Sequence, residues 1–461
     1  MSALTRPGLA WASLRHRPTA FVATFAAVVL GTAMIGSFAT LVQTAGGAGV
    51  SSADAETLTI MGAVVGGWGS AIVLFSVAST LAITVRQRET EIGLVRAIGA
   101  TPRQAARMIR TEALLVSGAA AVCGALVASV TGRALLVMLR GGGLVASDVE
   151  YGGGPASLGS AAVLVVLTAA LAAAVTARRA TRGPATVVLR GSGPETGRMR
   201  WWRVAGGLVL IAYGAGMAVV TITVTAHADD PYEAMQTSGS SSILVGLGLA
   251  VLAPVLLRLA STPVRAVLDR TGSGSASGHL ATANVSRRSH LLAAVLAPVI
   301  VLTSASVGTL MLVGIDGRTL DRSLPGADDA DTITLLNDVV VGMISLFAAI
   351  MVVNAFAAVV SQRRAELRRL WLVGATPSDV ERSVVVEAGI VAAVGVVLGS
   401  IAALATIVPF AVARHEGVVP DGGLWLPPLL VAGVVVLTLL AARGTVRPAL
   451  RQVVRSGAGS R

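Results

Sequence analysis

The chain alternates long apolar runs with short polar segments along its whole length. A helix needs about 20 mostly apolar residues to cross the hydrocarbon core of a bilayer. This pattern predicts ten spans, at about 19–43, 60–85, 112–137, 157–177, 203–226, 241–260, 291–314, 335–360, 385–412 and 425–442. Segments 44–59 and 315–334 between spans are too short to hold a folded domain. The sequence therefore predicts an all-α polytopic membrane protein of about ten transmembrane helices, with no large extracellular domain.

One polar segment occurs twice in the chain. Residues 85–113 and 360–388 align without a gap, and each lies between two apolar runs. The aligned pairs share Gln87 with Gln362, Arg88 with Arg363, Glu91 with Glu366, Gly99-Ala100-Thr101-Pro102 with Gly374-Ala375-Thr376-Pro377, Arg107 with Arg382, and Glu112-Ala113 with Glu387-Ala388. A charged segment repeated between membrane helices is suited to contact a partner in the cytoplasm.

The repeat extends beyond these polar segments. Residues 9–17 and 280–288 precede spans one and seven, and both have the character of amphipathic interfacial helices with a basic end. We predict a first unit at 1–192 (spans one to four) and a second unit at 275–461 (spans seven to ten). Two linking spans and a cytoplasmic linker occupy 193–274. A pair of linking spans keeps both four-helix units in one orientation, so the repeats are parallel.

Each repeated segment predicts a hairpin of two helices joined by a sharp corner. Gly99 is a natural helix stop, because glycine adopts the left-handed conformation at little cost. Thr101 and Pro102 then restart a helix as its cap and first residue, with glutamine at the third position. Gly374, Thr376 and Pro377 repeat the pattern in the second copy.

The distribution of charge orients the spans. Only 13% of the residues are charged and the mean hydropathy is +0.78, whereas soluble domains have roughly 25% charged residues. With the N-terminus in the cytoplasm, 31 of the 36 basic residues fall on cytoplasmic segments or helix ends. The net charge of +12 is therefore a topology signal, and nucleic-acid binding is not expected. Both termini are predicted to be cytoplasmic.

The phrase EIGLVRAIGATPRQ, followed by Glu-Ala and an apolar helix, resembles the FtsX-like permease family, which includes the MacB-type membrane subunits of ABC transporters. The second copy, ELRRLWLVGATPSD, is more divergent. The resemblance extends over nearly the whole chain and implies a bacterial plasma-membrane protein that pairs with a cytoplasmic P-loop ATPase, with two ATPase copies expected. Many family members have a large extracellular domain between the first two spans of a unit, which this chain lacks in both units.

The resemblance also implies which residues dock the ATPase. These lie in segments 86–104 and 361–379: Arg88, Glu91, Ile92, Arg96, Gly99, Thr101 and Pro102 in the first, and Glu366, Leu367, Leu370, Gly374, Thr376 and Pro377 in the second. A basic surface loop that only sets topology is the alternative. Such a loop needs arginines but has no need of a duplicated glycine corner with matched caps.

ATP is expected to bind the partner rather than this chain. A P-loop requires a lysine that reaches the phosphates, and the sequence contains no lysine. No constellation of catalytic or metal-ligating residues is apparent, so we expect a non-catalytic subunit without a bound cofactor or metal.

By resemblance, its function is export or extraction of a lipid, peptide or drug-like substrate. The alternative is a mechanotransmitter or sensor that transports nothing; an ion-driven transporter is less favoured because no ionisable residue lies at the centre of a span.

Glu112 and Glu387 occupy equivalent places at the start of spans three and nine. A carboxylate near the N-terminus of a helix is stabilised by the helix dipole, which is one explanation for both. The other is an ion pair with hairpin arginines that relays motion into the spans. The sequence leaves both explanations open.

Overall fold

The computed structural model describes residues 21–87, 89–181, 199–227, 231–270, 285, 289–319 and 373–458, together with part of 342–370. The predicted leading segments 9–17 and 280–288 (except Val285), the linker after 270, and most of span eight lie outside the described residues. The described part of the chain is helical, and eight of its helices are long and apolar enough to span a membrane. This confirms the predicted all-α polytopic class.

Two compact units divide the chain. The first comprises Met1–Gly193 with Arg322–Ile350, and the second comprises Pro194–Asp321 with Met351–Arg461. The helices predicted to link two four-helix units belong to the second compact unit. The predicted three-part division at 192 and 274 stays a prediction.

The described helices of the first unit are α1 to α6. They are α1 (Val22–Ala45), α2 (Ser52–Ile60), α3 (Gly66–Gln87), α4 (Glu89–Ala97), α5 (Pro102–Gly141) and α6 (Pro155–Thr181). A π-helical turn, Met61–Val65, joins α2 to α3. The long helices α1, α3, α5 and α6 pack against one another as a four-helix bundle. They correspond to predicted spans one to four.

Helix α1 packs closely on its neighbours because small residues face it. A Cβ added to Gly124 of α5 would lie 2.6 Å from the carbonyl oxygen of Val29, and one added to Gly62 would lie 2.9 Å from that of Phe38. Such close approaches are typical of membrane helices, where van der Waals packing replaces a hydrophobic driving force between helices. Gly66 is packed in the same way, because a Cβ added there would lie 2.5 Å from Cβ of Phe38.

The described helices of the second unit are α7 to α11. They are α7 (Trp201–Thr223), α8 (Pro231–Arg270), α9 (Ser289–Thr319), α10 (Pro377–Ala413) and α11 (Leu426–Ala458). Helices α8, α9 and α10 contact one another, α7 packs mainly on α8, and α11 packs on α9 and α10. The core of the second unit lies along α9. In an apolar stretch of 18 residues of this helix, 83% is buried.

Two ion pairs join the C-terminal end of α9 to the residues that follow α10 in the second unit. Asp316 near the end of α9 forms an ion pair with Arg414, the residue that follows α10. Arg318 is 3.2 Å from the carboxylate of Glu416. Glu416 also accepts a hydrogen bond from the backbone N–H of Asp421, at 3.3 Å. These bonds hold the connection between α10 and α11 against α9.

Candidate functional site: two capped hairpins

The first hairpin joins α4 to α5 through a Schellman corner. Gly99 has a φ of +106°, and its N–H bonds to the carbonyl of Arg96 at 3.1 Å. The N–H of Ala100 bonds to the carbonyl of Val95 at 3.2 Å. Together these two bonds satisfy carbonyls that the helix end would otherwise leave without partners. The corner therefore has a fixed geometry rather than that of an open loop.

A capping box begins the next helix. The side chain of Thr101 accepts a hydrogen bond from the N–H of Gln104, and the Gln104 side chain accepts one from the N–H of Thr101 at 2.9 Å. Pro102 occupies the first helical position, where a missing N–H has no cost. The predicted sequence of helix, corner and capped helix is confirmed here.

The second hairpin has the same corner in the part of it that the structure describes. Gly374 has a φ of +103°, and the N–H of Ala375 bonds to the carbonyl of Leu370 at 3.0 Å. Thr376 caps α10 through a capping box with Asp379, and Pro377 is its first residue. The prediction from the sequence holds again, with aspartate at the third position instead of glutamine.

An exposed β-branched residue stands immediately before each glycine. Ile98 is 77% exposed and Val373 is 88% exposed, and the two are equivalent in the repeat. Leu94, one turn earlier in α4, is also exposed. None of the three is among the docking residues predicted from the sequence. The sequence does repeat a β-branched residue before each corner glycine. Neighbouring residues alone, however, do not show whether such a side chain is exposed or buried in the core.

The predicted docking residues divide into two groups. Ile92 is only 3% exposed and packs among Val85, Ala105 and Ile109, so its side chain holds the hairpin to the bundle. Leu370 packs in the same way against a buried cluster in the second unit. Thr101, Pro102, Thr376 and Pro377 are exposed, and Arg96 is partly exposed. Arg88 and Leu367 lie outside the described residues.

A buried ion pair lies behind the second hairpin. The guanidinium of Arg363 donates two hydrogen bonds to the carboxylate of Glu387, one from Nη2 to Oε1 at 3.1 Å and one from Nη1 to Oε2. Their side chains are 5% and 2% exposed. Arg363 also donates from Nε to Glu366, three residues on, at 3.4 Å. Burial disfavours the charged guanidinium, but the adjacent carboxylates of Glu387 and then Glu366 outweigh it and raise the pKa of Arg363.

The helix-dipole explanation for Glu112 and Glu387 does not fit the structure. Their helices begin at Pro102 and Pro377, so both carboxylates lie about three turns inside. The dipole acts mainly within the first turn. In the second unit, the carboxylate of Glu387 forms an ion pair with a hairpin arginine, Arg363, which agrees with the other explanation.

The first unit has a chamber at the equivalent place. A cavity of about 80 Å³ behind its hairpin is lined by Leu81, Thr84, Val85, Ile109 and Glu112, among others. Their repeat equivalents, Phe356, Val359, Val360, Val384 and Glu387, surround Arg363 in the second unit. Glu112 is 2% exposed, like Glu387. Glu91, the repeat equivalent of Glu366, also lines this cavity.

Each hairpin presents an exposed apolar residue at its corner. Within the described ranges, no group of three or more His, Cys, Asp or Glu side chains is placed to hold a metal ion. What the geometry provides instead is two rigid corners with apolar tips.

Comparison with known sequences agrees with this geometry. A family model for the C-terminal domain of FtsX-like permeases matches residues 63–185 and 339–451, which together cover just over half of the chain. The first match includes one hairpin and the second match includes the other. No curated protein sequence matches the chain.

Proposed function

Since the chain belongs to the FtsX-like permease family, we propose that it is the membrane subunit of an ABC transporter, driven by ATP hydrolysis on a separate cytoplasmic ATPase. The observation that supports this most is the duplicated corner. Each half of the chain presents a capped glycine corner with an exposed β-branched tip, and each is bounded by membrane helices. Two such sites in one chain fit two ATPase copies, one at each hairpin.

The tips are the expected contact residues. An exposed isoleucine or valine on a rigid corner loses little conformational entropy on binding and buries apolar surface, which favours association. Arg96 lies in the last turn of α4, where a cation is also stabilised by the helix dipole. The inner residues Ile92 and Leu370 then fix the hairpins to their bundles, so that movement of the tips is passed on to the spans.

Pull-down of the tagged chain from its native membrane in detergent tests the docking. Proteins that co-purify are identified by mass spectrometry, and we expect a P-loop ATPase among them. The double variant Ile98→Asp/Val373→Asp places desolvated carboxylates in both contacts and should lose that ATPase. Val418→Asp/Val419→Asp makes the same chemical change in the exposed connection between α10 and α11 and should retain it. Unchanged recovery with the hairpin variant would exclude the tips as contacts.

The substrate in this proposal is a lipid, a peptide or a drug-like amphiphile. A groove of about 570 Å³ in the first unit supports this class, because it combines apolar and small residues with polar ones: Phe38, Gly62 and Gly66 with Gln43, Ser157 and Ser160. An amphiphile would place its apolar part against Val42, which is 41% exposed in this groove, and its polar part at the amide and hydroxyl groups. ATP-dependent movement of a fluorescent lipid in liposomes that contain both subunits tests this step.

The second candidate function is a mechanotransmitter or sensor that uses the same ATPase but moves no substrate. The short described connections between helices, such as residues 46–51 between α1 and α2, offer little outer surface to an extracytoplasmic partner. ATPase binding without transport of lipids, peptides or drugs by the reconstituted complex would favour this function over transport. The docking proposal is common to both.

A further inference from the structure

The ion pair between Arg363 and Glu387 is the most deeply buried charged contact among the described residues of the second hairpin. It lies in a chamber walled by the apolar side chains of Leu292, Phe356, Val359 and Val384, and both charged side chains are almost fully shielded from solvent. Removing two charges from water carries a penalty that their attraction offsets only with good geometry and additional hydrogen bonds. The two hydrogen bonds between the pair and the third to Glu366 provide both conditions.

The position of the pair suggests why the chain keeps it. Arg363 and Glu366 precede the corner at Gly374, and Glu387 lies on α10 beyond it. The pair therefore joins the two arms of the hairpin at their bases, with the tip at Val373 on the far side. A force on the tip changes the angle between the arms, and the buried pair is the polar contact that resists or transmits that change.

We propose that Arg363 and Glu387 are positioning residues, which transmit displacement of the second hairpin into α10 when the ATPase closes. This rests on the proposed ATPase docking. It assigns to the pair a role that Ile98 and Val373 do not have, since the tips bind the partner and the pair conveys the movement. The sequence supplies Arg88 and Glu112 at the equivalent positions of the first repeat, and the chamber around Glu112 has the same lining positions.

A double-mutant comparison separates this role from simple stabilisation. Arg363→Gln leaves the buried carboxylate of Glu387 without this cation, and Glu387→Gln leaves the buried guanidinium of Arg363 with only the longer bond to Glu366, so both single variants should unfold at lower temperature. Arg363→Gln/Glu387→Gln removes both charges and keeps similar side-chain volumes. The double variant should therefore regain most of the thermal stability in detergent, as judged by the midpoint of unfolding.

The deciding measurement is ATP hydrolysis by the reconstituted complex, compared with ATPase recovery in a pull-down. We expect the double variant to bind the ATPase as the unmodified chain does. Its stimulation of ATP hydrolysis should be lower than that of the unmodified chain by a factor of at least about ten. Recovery of normal stimulation together with stability would overturn the proposal and leave the pair a structural contact.

Two further outcomes are distinguishable. If the unmodified chain recovers no ATPase, the proposed function fails, and the positioning role fails with it. If the double variant is stable but no longer binds the ATPase, the pair shapes the docking surface, and the positioning role is wrong while docking stands.

Glu381→Gln/Arg447→Gln is the matched control, because it removes an ion pair of 3.1 Å in the same unit whose arginine is 60% exposed. Its stimulation should stay within about twofold of that of the unmodified chain, because exposed pairs contribute little.

Discussion

At the scale of single residues, a substitution at Gly374 tests backbone strain without a change in packing. A Cβ added there would meet no atom within 4 Å, but its φ of +103° lies in the region that side chains disfavour. We expect Gly374→Val to weaken the corner by about 1–2 kcal/mol, the cost of a left-handed conformation, and to reduce ATPase recovery in the pull-down. Gly99→Val should act in the same way at the first hairpin, where φ is +106°.

Gly389 provides the control for this prediction. It also has open space around an added Cβ, but it lies within α10 with no positive φ. Gly389→Ala should leave ATPase recovery unchanged and raise helix stability slightly, because alanine is the better helix former. An equal loss of ATPase recovery in Gly374→Val and Gly389→Ala would mean that docking does not depend on the backbone conformation of the corner.

The sequence predicts the corners well because they are local structures. A glycine, a capping threonine and a first-turn proline need only their near neighbours to adopt their conformations. The exposure of Ile98 and the burial of Ile92 could not be predicted in this way. Both are isoleucines of one short segment, and only the packing of Ile92 against α5 and α6 distinguishes them. For Glu387 the sequence offered an ion pair with a hairpin arginine as one of two explanations, and the fold of the hairpin identifies Arg363 as the partner.

At the scale of helices, the second arm of each hairpin and the predicted span that follows it form one continuous helix. Spans three and nine are predicted from 112 and 385, whereas α5 begins at Pro102 and α10 at Pro377. The additional turns carry arginines and acids, which a membrane scale excludes, although the backbone continues as one helix. This continuity matters for function, because a rigid helix connects each hairpin corner directly to a span.

The contact between α1 and the π-helical turn that precedes α3 gives a prediction about glycine packing. A Cβ on Gly62 would lie 2.4 Å from Cγ2 of Val42 and 2.9 Å from the carbonyl oxygen of Phe38, so α1 must shift to accommodate it. We expect Gly62→Ala to destabilise the first unit by about 1–3 kcal/mol, as overpacking does. Thermal unfolding of the purified protein in detergent measures the change.

Gly67 is the matched control, since an added Cβ there meets nothing within 4 Å. Gly67→Ala should leave the unfolding midpoint unchanged or raise it, because alanine favours the helix. The packing argument predicts opposite directions for two glycines that lie five residues apart in the sequence. A fall in stability of similar size for both variants would contradict it.

Thr406 of α10 inserts its hydroxyl group into the hydrogen-bond ladder of α8. It accepts from the N–H of Ser242 at 3.0 Å and donates to the carbonyl of Ser238 at 2.6 Å, the two groups that bond each other in a regular helix. Ser238 in turn donates to the carbonyl of Thr406 at 2.8 Å. Helix α8, predicted as a linking span, is thereby fastened to the second unit by polar contacts that hydropathy does not reveal.

Replacing this hydroxyl by a methyl group tests the contact. Thr406→Val should lower the stability of the protein by about 1–3 kcal/mol, because two buried backbone groups lose a partner. Thr445→Val is the control in the same unit, since the hydroxyl of Thr445 bonds only to carbonyls of its own helix, the nearer at 2.9 Å. We expect a clearly larger fall in the unfolding midpoint for Thr406→Val. Equal effects would show that the inserted hydroxyl adds nothing to the attachment of α8.

At the scale of the whole molecule, the arginines determine which side the hairpins face. Arginines concentrate on the segments that include both hairpins, and the positive-inside rule then places the corners in the cytoplasm. The proposed function depends on this orientation, because an ATPase that uses cytoplasmic ATP cannot reach a corner on the outer side. This orientation is a prediction from the distribution of arginines in the sequence.

Labelling of introduced cysteines tests the orientation. Cys123 is the single cysteine and lies on α5 within the predicted third span, and Cys123→Ala gives an unlabelled background. In that background, Ser147→Cys and Val418→Cys should react with a membrane-impermeant maleimide on intact cells, since both sites are exposed and predicted to be outside. Ser378→Cys, exposed beside the second corner, should react only after the cells are permeabilised. The reverse pattern would turn the hairpins outward, and the docking and positioning proposals would then both fail for one reason, since no cytoplasmic ATPase could contact either corner.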